Sequence, residues 1–285
     1  MTLLTLENTA IVVDSTADMP DEWLARDGMY MVPLTVHFGD ETYRDAIDLT
    51  RDEFFAKLAA SPVLATTSQP TAAEFEDCYR RATEKYEHVF SLHLSQKLSG
   101  TFLAAEAAAA GFEGVEAYDT KSVALGLTLV VERLRARLEK GISIEDARAY
   151  IEYFRENATI MIHAGTLEYL RRGGRIGRAQ SMIGGVLGIL PLIYLKDGEL
   201  APFAKVRGSR KAIETMMKFF AERTSADAHI YVAIMHAAAP ETVEPLRRAL
   251  LATRPQTEIV VTGQVGAAVG AHIGHGTSAF GMIVE

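Results

Sequence analysis

Short runs of strand type alternate with longer helical repeats along the first half of the chain. Residues 10–13 are wholly apolar, and residues 29–38, 88–93 and 115–118 have the length and composition of further strands. Residues 122–139 repeat apolar positions at helical spacing. Buried parallel strands are short apolar runs, and helices between them supply the crossovers that they need. The pattern therefore predicts an α/β fold with a parallel sheet and helical crossovers in this half.

Two capping signals mark the starts of helices between these strands. Thr50 is followed by Glu53, and Thr71 is followed by Glu74. In each pair, the Thr side chain can accept the backbone N–H group of the Glu, and the Glu side chain can accept the backbone N–H group of the Thr. We therefore predict helices that begin after Thr50 and after Thr71, with a polar loop over residues 61–70 between them.

The pattern changes after about residue 158. A short helix is predicted to end at Gly173-Gly174, and Asp197-Gly198 supplies the positive φ angles of a tight turn in a β-hairpin. Strands and helices continue from there without a flexible linker. We predict a second α/β domain with a mixed or antiparallel sheet, which divides the chain into closely packed domains at residues 1–158 and 159–285.

Composition and charge narrow the classes of protein. The 285 residues include 29 Lys and Arg against 37 Asp and Glu, a net charge of −8, which argues against a nucleic acid partner. Cys78 is the single cysteine, so there is neither a disulfide framework nor a cysteine zinc site. The N-terminus lacks the basic start of a signal peptide, and the apolar residues 182–195 are too few to span a bilayer. We expect a cytoplasmic protein.

Polar residues at the ends of predicted strands are candidates for binding a ligand. Thr67 and Ser68 lie in an extended segment before Pro70, and helix capping does not explain them. Ser99 and Gly100 lie where a strand gives way to a helix, and the free N–H groups of a helix start hold a carboxylate or phosphate. An ordinary polar turn and a simple helix cap are the alternatives.

Two further candidates lie in the second half. Arg175 follows Gly173-Gly174, so its guanidinium can turn inward to meet an anion in bidentate geometry. His272 and His275 are three residues apart without further ligands nearby, so we predict no metal site. A buried histidine donating to a ligand oxygen remains open beside a purely structural one.

The three side-chain types of a hydrolase triad are present in Ser99, His272 and Asp14. The G-x-S-x-G pattern of a nucleophile elbow is absent around these serines, however. The G-x-x-x-x-G-K-[ST] loop is also absent, so we do not expect the chain to bind ATP in the P-loop manner.

Taken in order, several short motifs resemble the DegV family over nearly the whole chain. Each motif is weak alone, and the ordered set is specific. The motifs are Val13-Asp14-Ser15-Thr16, Thr67-Ser68-Gln69-Pro70, His93-Leu94-Ser95, Leu98-Ser99-Gly100-Thr101, Asp119-Thr120-Lys121-Ser122, Arg172-Gly173-Gly174-Arg175-Ile176, Lys196-Asp197-Gly198 and His272-Ile273-Gly274-His275-Gly276.

The resemblance implies a two-domain fold that holds one long-chain fatty acid between its domains. It implies a protein similar to the fatty-acid-binding subunit of bacterial fatty acid kinase, which is not itself an enzyme, needs no cofactor, and presents the acid to a separate ATP-binding subunit that makes acyl phosphate. The apolar, glycine-containing residues 182–190 can then line the acyl tunnel, with core packing as the alternative that the sequence alone leaves open. The implied ligand-binding residues are Thr67, Ser68, Ser99, Gly100, Arg175 and His272, and Lys205 and Arg207 would contact the kinase and, transiently, the membrane.

Two enzymatic readings compete with lipid binding. One is a serine hydrolase or acyltransferase that uses Ser99 and His272. The other is a chain related to the ketone-binding part of dihydroxyacetone kinase, which requires a covalent histidine adduct with dihydroxyacetone.

Overall fold

The computed structural model of the chain describes residues 3–183 and 189–285, with only the backbone of residues 189 and 190. The strands are β1 Thr9–Asp14, β2 Met29–Val32, β3 Thr35–Phe38, β4 Glu41–Arg44, β5 Thr66–Ser68, β6 His88–His93, β7 Val115–Asp119, β8 Thr159–His163, β9 Ile189–Lys196, β10 Glu199–Arg207, β11 Ile230–Ala237, β12 Glu258–Gln264 and β13 Thr277–Val284. The α-helices are α1 Asp21–Leu24, α2 Arg51–Ala60, α3 Ala72–Thr83, α4 Thr101–Ala109, α5 Leu125–Leu138, α6 Ile144–Asn157, α7 Glu168–Gly173, α8 Ser209–Glu222, α9 Val243–Thr253 and α10 Ala267–Ile273.

Two large sheets organise the fold, and both were predicted in kind. The first is a parallel four-stranded sheet in the order β2-β1-β6-β7. The second is a six-stranded mixed sheet in the order β10-β9-β8-β13-β11-β12, in which only β11 and β12 pair in parallel. The predicted α/β architecture is therefore confirmed, whereas the domain division at residue 158 stays a prediction.

Helix α5 lies between the two sheets. It contacts β6 of the first sheet and β8, β11 and β13 of the second. Residues 125–131 of this helix are buried without interruption, so no face of its first two turns meets solvent. A helix that is apolar on every side belongs in a core, and α5 accordingly joins the two halves into one large hydrophobic cluster.

Several local signals determine structure where the sequence places them. Both predicted capping boxes form, at Thr50 with Glu53 and at Thr71 with Glu74. The Asp-Gly turn joins β9 to β10, and Gly174 ends α7 in the left-handed conformation with φ 70°. These signals act within a few residues, so the rest of the fold does not override them.

Residues 29–38 form two strands in different sheets, and the prediction of one continuous strand is wrong. Pro33 lacks a backbone N–H group, and the Leu34 N–H group donates to the Ser15 hydroxyl at 3.0 Å instead of to a neighbouring strand. Residues 61–70 are not wholly a loop either, because they contain β5. Strands β4, β3 and β5 form a small antiparallel sheet that the sequence reading did not foresee.

Two other predicted features need adjustment or lie outside the description. The predicted helix over residues 122–139 begins at Leu125, because Lys121 and Ala124 adopt positive φ angles before it. Of the predicted tunnel segment 182–190, residues 184–188 lie outside the described residues, while Met182 is buried and Ile183 is 41% exposed.

Candidate functional site

An apolar cavity lies between the parallel sheet and the mixed sheet. Its empty volume is about 870 Å³, which includes the space at its mouth that is open to solvent. Both halves of the chain contribute to its wall, for example Leu94 and Leu125 from the first and Ile160, Leu200 and Ala279 from the second. Most of its lining is aliphatic, so the cavity suits a hydrocarbon-rich ligand.

Four of the predicted ligand-binding residues lie on the wall of this cavity. They come from four different segments: the small sheet, the turn before α4, the loop after α7, and α10. These residues are Thr67, Ser99, Arg175 and His272. The fold therefore brings together polar side chains that are separated by up to 205 positions in the sequence.

Thr67 and His272 contact each other directly. The Thr67 hydroxyl lies 2.8 Å from Nε2 of His272. Nδ1 of the same ring is buried without a hydrogen-bond partner among the described residues. A side chain at position 173 could not coexist with this ring, since a Cβ atom there would come within 2.4 Å of Nδ1. The absence of a side chain at Gly173 therefore leaves the space that the His272 ring occupies.

Arg175 reaches from the second half of the chain to the first. Its Nη1 donates to the Gly173 carbonyl at 2.7 Å, and its Nε faces the Leu98 carbonyl at 3.4 Å. No carboxylate pairs with this half-buried guanidinium within residues 3–183 and 189–285. A cation in this setting gains from an anionic ligand, because burial has removed part of its hydration.

The site is electrostatically suited to an anion. Burial, together with the neighbouring guanidinium of Arg175, lowers the pKa of His272 to about 4. His272 is therefore a neutral hydrogen-bonding group near pH 7, and Arg175 carries the positive charge. A carboxylate would add the missing negative charge at this end of the cavity.

The start of α10 is fixed by two buried carboxyl groups. Oδ1 of Asp18 accepts the Gly266 N–H group at 2.7 Å, and Oδ1 of Asp45 accepts the Ala267 N–H group at 3.0 Å. Burial raises the pKa of both carboxyl groups, that of Asp18 well above its usual value. Since both acids belong to the first half of the chain, they hold the helix that carries His272 against it.

Ser99 lies beside the start of α4 and on the cavity wall, but it is not the N-cap of that helix. Its hydroxyl accepts the N–H group of Thr101, the first residue of α4, at 3.3 Å and lies 2.9 Å from the Thr101 hydroxyl, whereas the N-cap position itself is Gly100 and has no side-chain cap. Gly100 has no side chain to contribute and packs against Gln69, whose Oε1 would lie 2.2 Å from a Cβ atom there.

The structure does not bring the Ser68 side chain to the cavity. Successive side chains of a strand point to opposite faces, so Thr67 and Ser68 of β5 diverge. The Ser68 hydroxyl instead lies 2.8 Å from Nε2 of His37 on an exposed face. The sequence singled out both hydroxyls of this extended segment, and only Thr67 of the two lies on the cavity wall.

The imagined hydrolase triad does not assemble. Ser99 bonds to Thr101, and His272 bonds to Thr67. The carboxylate of Asp14 lies 3.1 Å from Nδ1 of His93, a different histidine. A nucleophile needs a base within hydrogen-bond reach and a group that orients the base, and this set provides neither.

The cavity wall does not include Lys205 or Arg207. Both are exposed on β10, the edge strand of the mixed sheet. Neither forms an ion pair with another described residue, whereas the nearby Arg210 and Lys211 both pair with Glu214.

Within the described residues no cluster of His, Cys, Asp and Glu could hold a metal ion, and no helix is long and apolar enough to cross a membrane.

Sequence reasoning missed three polar residues of the cavity wall, Thr16, Thr277 and His236, of which only His236 is titratable. His236 lies near the end of β11, which pairs in parallel with β12. Ligands of α/β proteins gather at the carboxyl ends of parallel strands, so a histidine at that position was an available signal.

The fold and the site together define a class: an α/β protein with an interior apolar cavity, in whose wall an arginine has no carboxylate partner among the described residues. Comparison with known proteins identifies the family to which this fold belongs. The model of the DegV family, whose members are described as uncharacterised, matches residues 8–285, and the chain belongs to this family.

Relatives and solved structures cover nearly the whole chain. A DegV family protein of Thermus thermophilus, described for its fatty acid binding, is 36% identical, with a TM-score of 0.93 over 98% of this chain and 100% of that one. DegV of Bacillus subtilis, described as a fatty acid binding protein, is 30% identical, with a TM-score of 0.87 over 98% and 100%. A stearic acid-binding protein of Eubacterium ventriosum is 25% identical, with a TM-score of 0.89 over 97% and 98%.

Proposed function

We propose that this protein binds one long-chain fatty acid, with the acyl chain in the apolar cavity and the carboxylate beside Arg175. The observation that carries the proposal is a half-buried guanidinium without a carboxylate partner among the described residues, in the wall of an aliphatic cavity. Relatives at 25–36% identity that are described as fatty acid-binding proteins support it.

The proposed division of labour follows from the chemistry of the ligand. Burying one methylene group contributes about 0.8 kcal/mol, so a long chain contributes on the order of 10 kcal/mol. The cavity wall therefore supplies most of the affinity. Thr67, Ser99, Arg175 and His272 select a carboxylate over an alcohol or ester, while Gly100 and Ser68 contribute at most their backbone groups.

Binding is tested by stripping the purified protein of lipid and adding one long-chain fatty acid. We expect lipid extracted from the protein before stripping to contain long-chain fatty acid by mass spectrometry, and the stripped protein to take up one equivalent in calorimetry. A stripped, folded protein that binds no long-chain acid would refute the proposal.

We further propose that the bound acid is presented, in the cytoplasm, to a separate kinase subunit that holds ATP and makes acyl phosphate. Lys205 and Arg207 are the proposed docking residues, because they are exposed cations on an edge strand and form no ion pair with other described residues. The chain alone should make no acyl phosphate from ATP and magnesium. Transient contact with an anionic membrane would use the same charges.

Docking is tested with Arg207→Ala, and with Arg210→Ala as the matched control. Arg210 is an exposed arginine three residues away that already pairs with Glu214. We expect Arg207→Ala to slow turnover by the cognate kinase about tenfold and to leave fatty acid affinity unchanged, and Arg210→Ala to change neither. Equal loss of turnover in both variants would show that Arg207 has no specific role.

A further inference from the structure

Three polar side chains line the cavity in addition to the four beside the proposed carboxylate. Two of them are satisfied within the protein. The Thr16 hydroxyl donates to Asp14, and the Thr277 hydroxyl accepts the Gly165 N–H group at 3.3 Å. The third, His236, is different.

His236 keeps a hydrogen-bond donor without a partner among the described residues. Its Nδ1 accepts the Ala239 N–H group at 3.2 Å, which places the proton of the neutral ring on Nε2. Burial lowers the pKa of His236 and thereby favours the neutral ring, although the negative charges of Glu241 and Asp52 oppose the shift. Near pH 7 the ring therefore has one N–H group that is not engaged by the described protein groups.

The backbone after His236 is strained in a way that fixes the ring. Ala238 has a φ of 47°, a left-handed conformation that costs free energy for any residue other than glycine. This turn directs the Ala239 N–H group back to the ring. Strain of this kind persists where the surroundings hold it, and it is concentrated at functional sites.

We propose that His236 is a second polar contact for the ligand, and that its Nε2–H group donates to an oxygen carried on the acyl chain away from the carboxylate. The inference rests on the proposed function, because it assumes an acyl chain in the cavity. It assigns oxygenated fatty acids, such as monohydroxy acids, to the ligands of this protein. A hydroxyl facing only aliphatic wall loses its hydration without compensation, whereas one at the matching position regains a hydrogen bond.

The test compares stearic acid with a series of monohydroxystearic acids that carry the hydroxyl at successive positions. We expect the wild type to bind one position, or two adjacent ones, within about threefold of stearic acid, and the others at least about tenfold more weakly. His236→Leu should reduce the favoured isomer to the level of the others and leave stearic acid within about twofold. His236→Gln retains an amide donor and should recover part of the preference.

Thr277→Val is the matched control, because the Thr277 hydroxyl lines the same cavity but is engaged within the protein. It should leave the ratio between hydroxystearic and stearic acid unchanged. If the wild type binds stearic acid but weakens equally for every isomer, or if His236→Leu leaves the preferred isomer preferred, the inference is wrong while the proposed function stands. If neither stearic acid nor any other long-chain acid binds, both are wrong.

Discussion

Two histidine–hydroxyl contacts in this molecule contain similar groups in opposite surroundings. In the first, Nε2 of His93 lies 2.6 Å from the Ser91 hydroxyl and Nδ1 lies 3.1 Å from the Asp14 carboxylate. Tyr79 extends the chain with a contact of 2.8 Å to Ser91. All four side chains are fully buried. In the second, His272 contacts Thr67, bonds to no carboxylate within the described part of the chain, and lines the cavity.

The difference separates support of the fold from contact with a ligand. The Ser91–His93–Asp14 chain has the bonding order of a hydrolytic triad, but Ser91 is fully buried and is not part of the cavity wall. His272 meets the cavity but lacks the carboxylate that orients a catalytic base. The histidine that lines the cavity, His272, is thus not the histidine that contacts a carboxylate, His93. This separation supports ligand binding rather than hydrolysis.

The largest effect should come from breaking the first contact. Asp14 accepts hydrogen bonds from the backbone of Thr16 and Leu94 and contacts His93, so Asp14→Ala leaves several buried polar groups without partners. We expect the free energy of unfolding to fall by about 3–5 kcal/mol. Urea denaturation measures it. His272→Ala should cost about 1–2 kcal/mol, because it removes one neutral hydrogen bond and a half-buried ring. Equal losses of unfolding free energy in the two variants would contradict the distinction between the contact that supports the fold and the contact that meets the ligand.

The next effect concerns the charge beside His272. Arg175→Ala should weaken binding of a long-chain acid by about 10- to 100-fold, because a charge-assisted hydrogen bond is lost. The corresponding fatty alcohol has no charge and should change by less than about threefold. Calorimetric titration of both ligands gives the comparison.

Arg178→Ala is the control for Arg175→Ala. Arg178 is exposed and pairs with Glu199 at 3.4 Å, so its loss should change the affinity for neither ligand. If Arg175→Ala weakens acid and alcohol equally, Arg175 shapes the cavity or ties the two halves together instead of binding the carboxylate.

A smaller effect follows from the lowered pKa of His272. In the folded protein this pKa is about 4, whereas an unfolded histidine titrates near 6.5. As the pH falls from about 6.5 to 4, the unfolded chain takes up the proton first, so stability that is present above pH 6.5 is lost. His272 should account for about 1–2 kcal/mol of the loss between pH 7 and pH 5.

His272→Gln tests this pH dependence, because glutamine does not titrate. Urea denaturation of both proteins at pH 7 and pH 5 should show a smaller loss in the variant. Other histidines with lowered pKa values, His163 and His236, remain in both proteins and cancel in the comparison. An identical loss in both proteins would contradict a neutral, buried His272.

The smallest effect distinguishes two serines. Ser99→Ala should weaken fatty acid binding by about 2- to 10-fold, the size of one neutral hydrogen bond. Ser68→Ala should change it by less than about twofold, because the Ser68 hydroxyl bonds to His37 away from the cavity. A larger effect of Ser68→Ala on binding would indicate that the Ser68 hydroxyl contacts the ligand.

The same pair of serines shows where sequence reasoning ends. Capping boxes, the Asp-Gly turn and the arginine after two glycines were predictable, because each depends on neighbouring residues. The direction of the Thr67 side chain toward His272 was not predictable, because it depends on the antiparallel pairing of β5 with β3, in a register that places Thr67 opposite Val36.

Long-range partners were equally hidden. Asp14 could be imagined beside His272 because nothing in the sequence states which histidine it meets, and sheet pairing places β6 beside β1. The strained turn at Ala238, which follows His236, is likewise not signalled by the sequence Ala-Ala-Ala. The sequence thus predicts local geometry and candidate chemistry, while tertiary packing selects among the candidates.

The central claim is that a fatty acid carboxylate binds beside Arg175 with its chain in the apolar cavity. A crystal structure of the protein saturated with stearic acid tests it most directly. We predict carboxylate oxygens within roughly 2.7–3.2 Å of Arg175 and Ser99, and the chain against Leu125, Ile160 and Ala279. A carboxylate at the opposite end of the cavity, or an acyl chain bound outside it, would contradict the account.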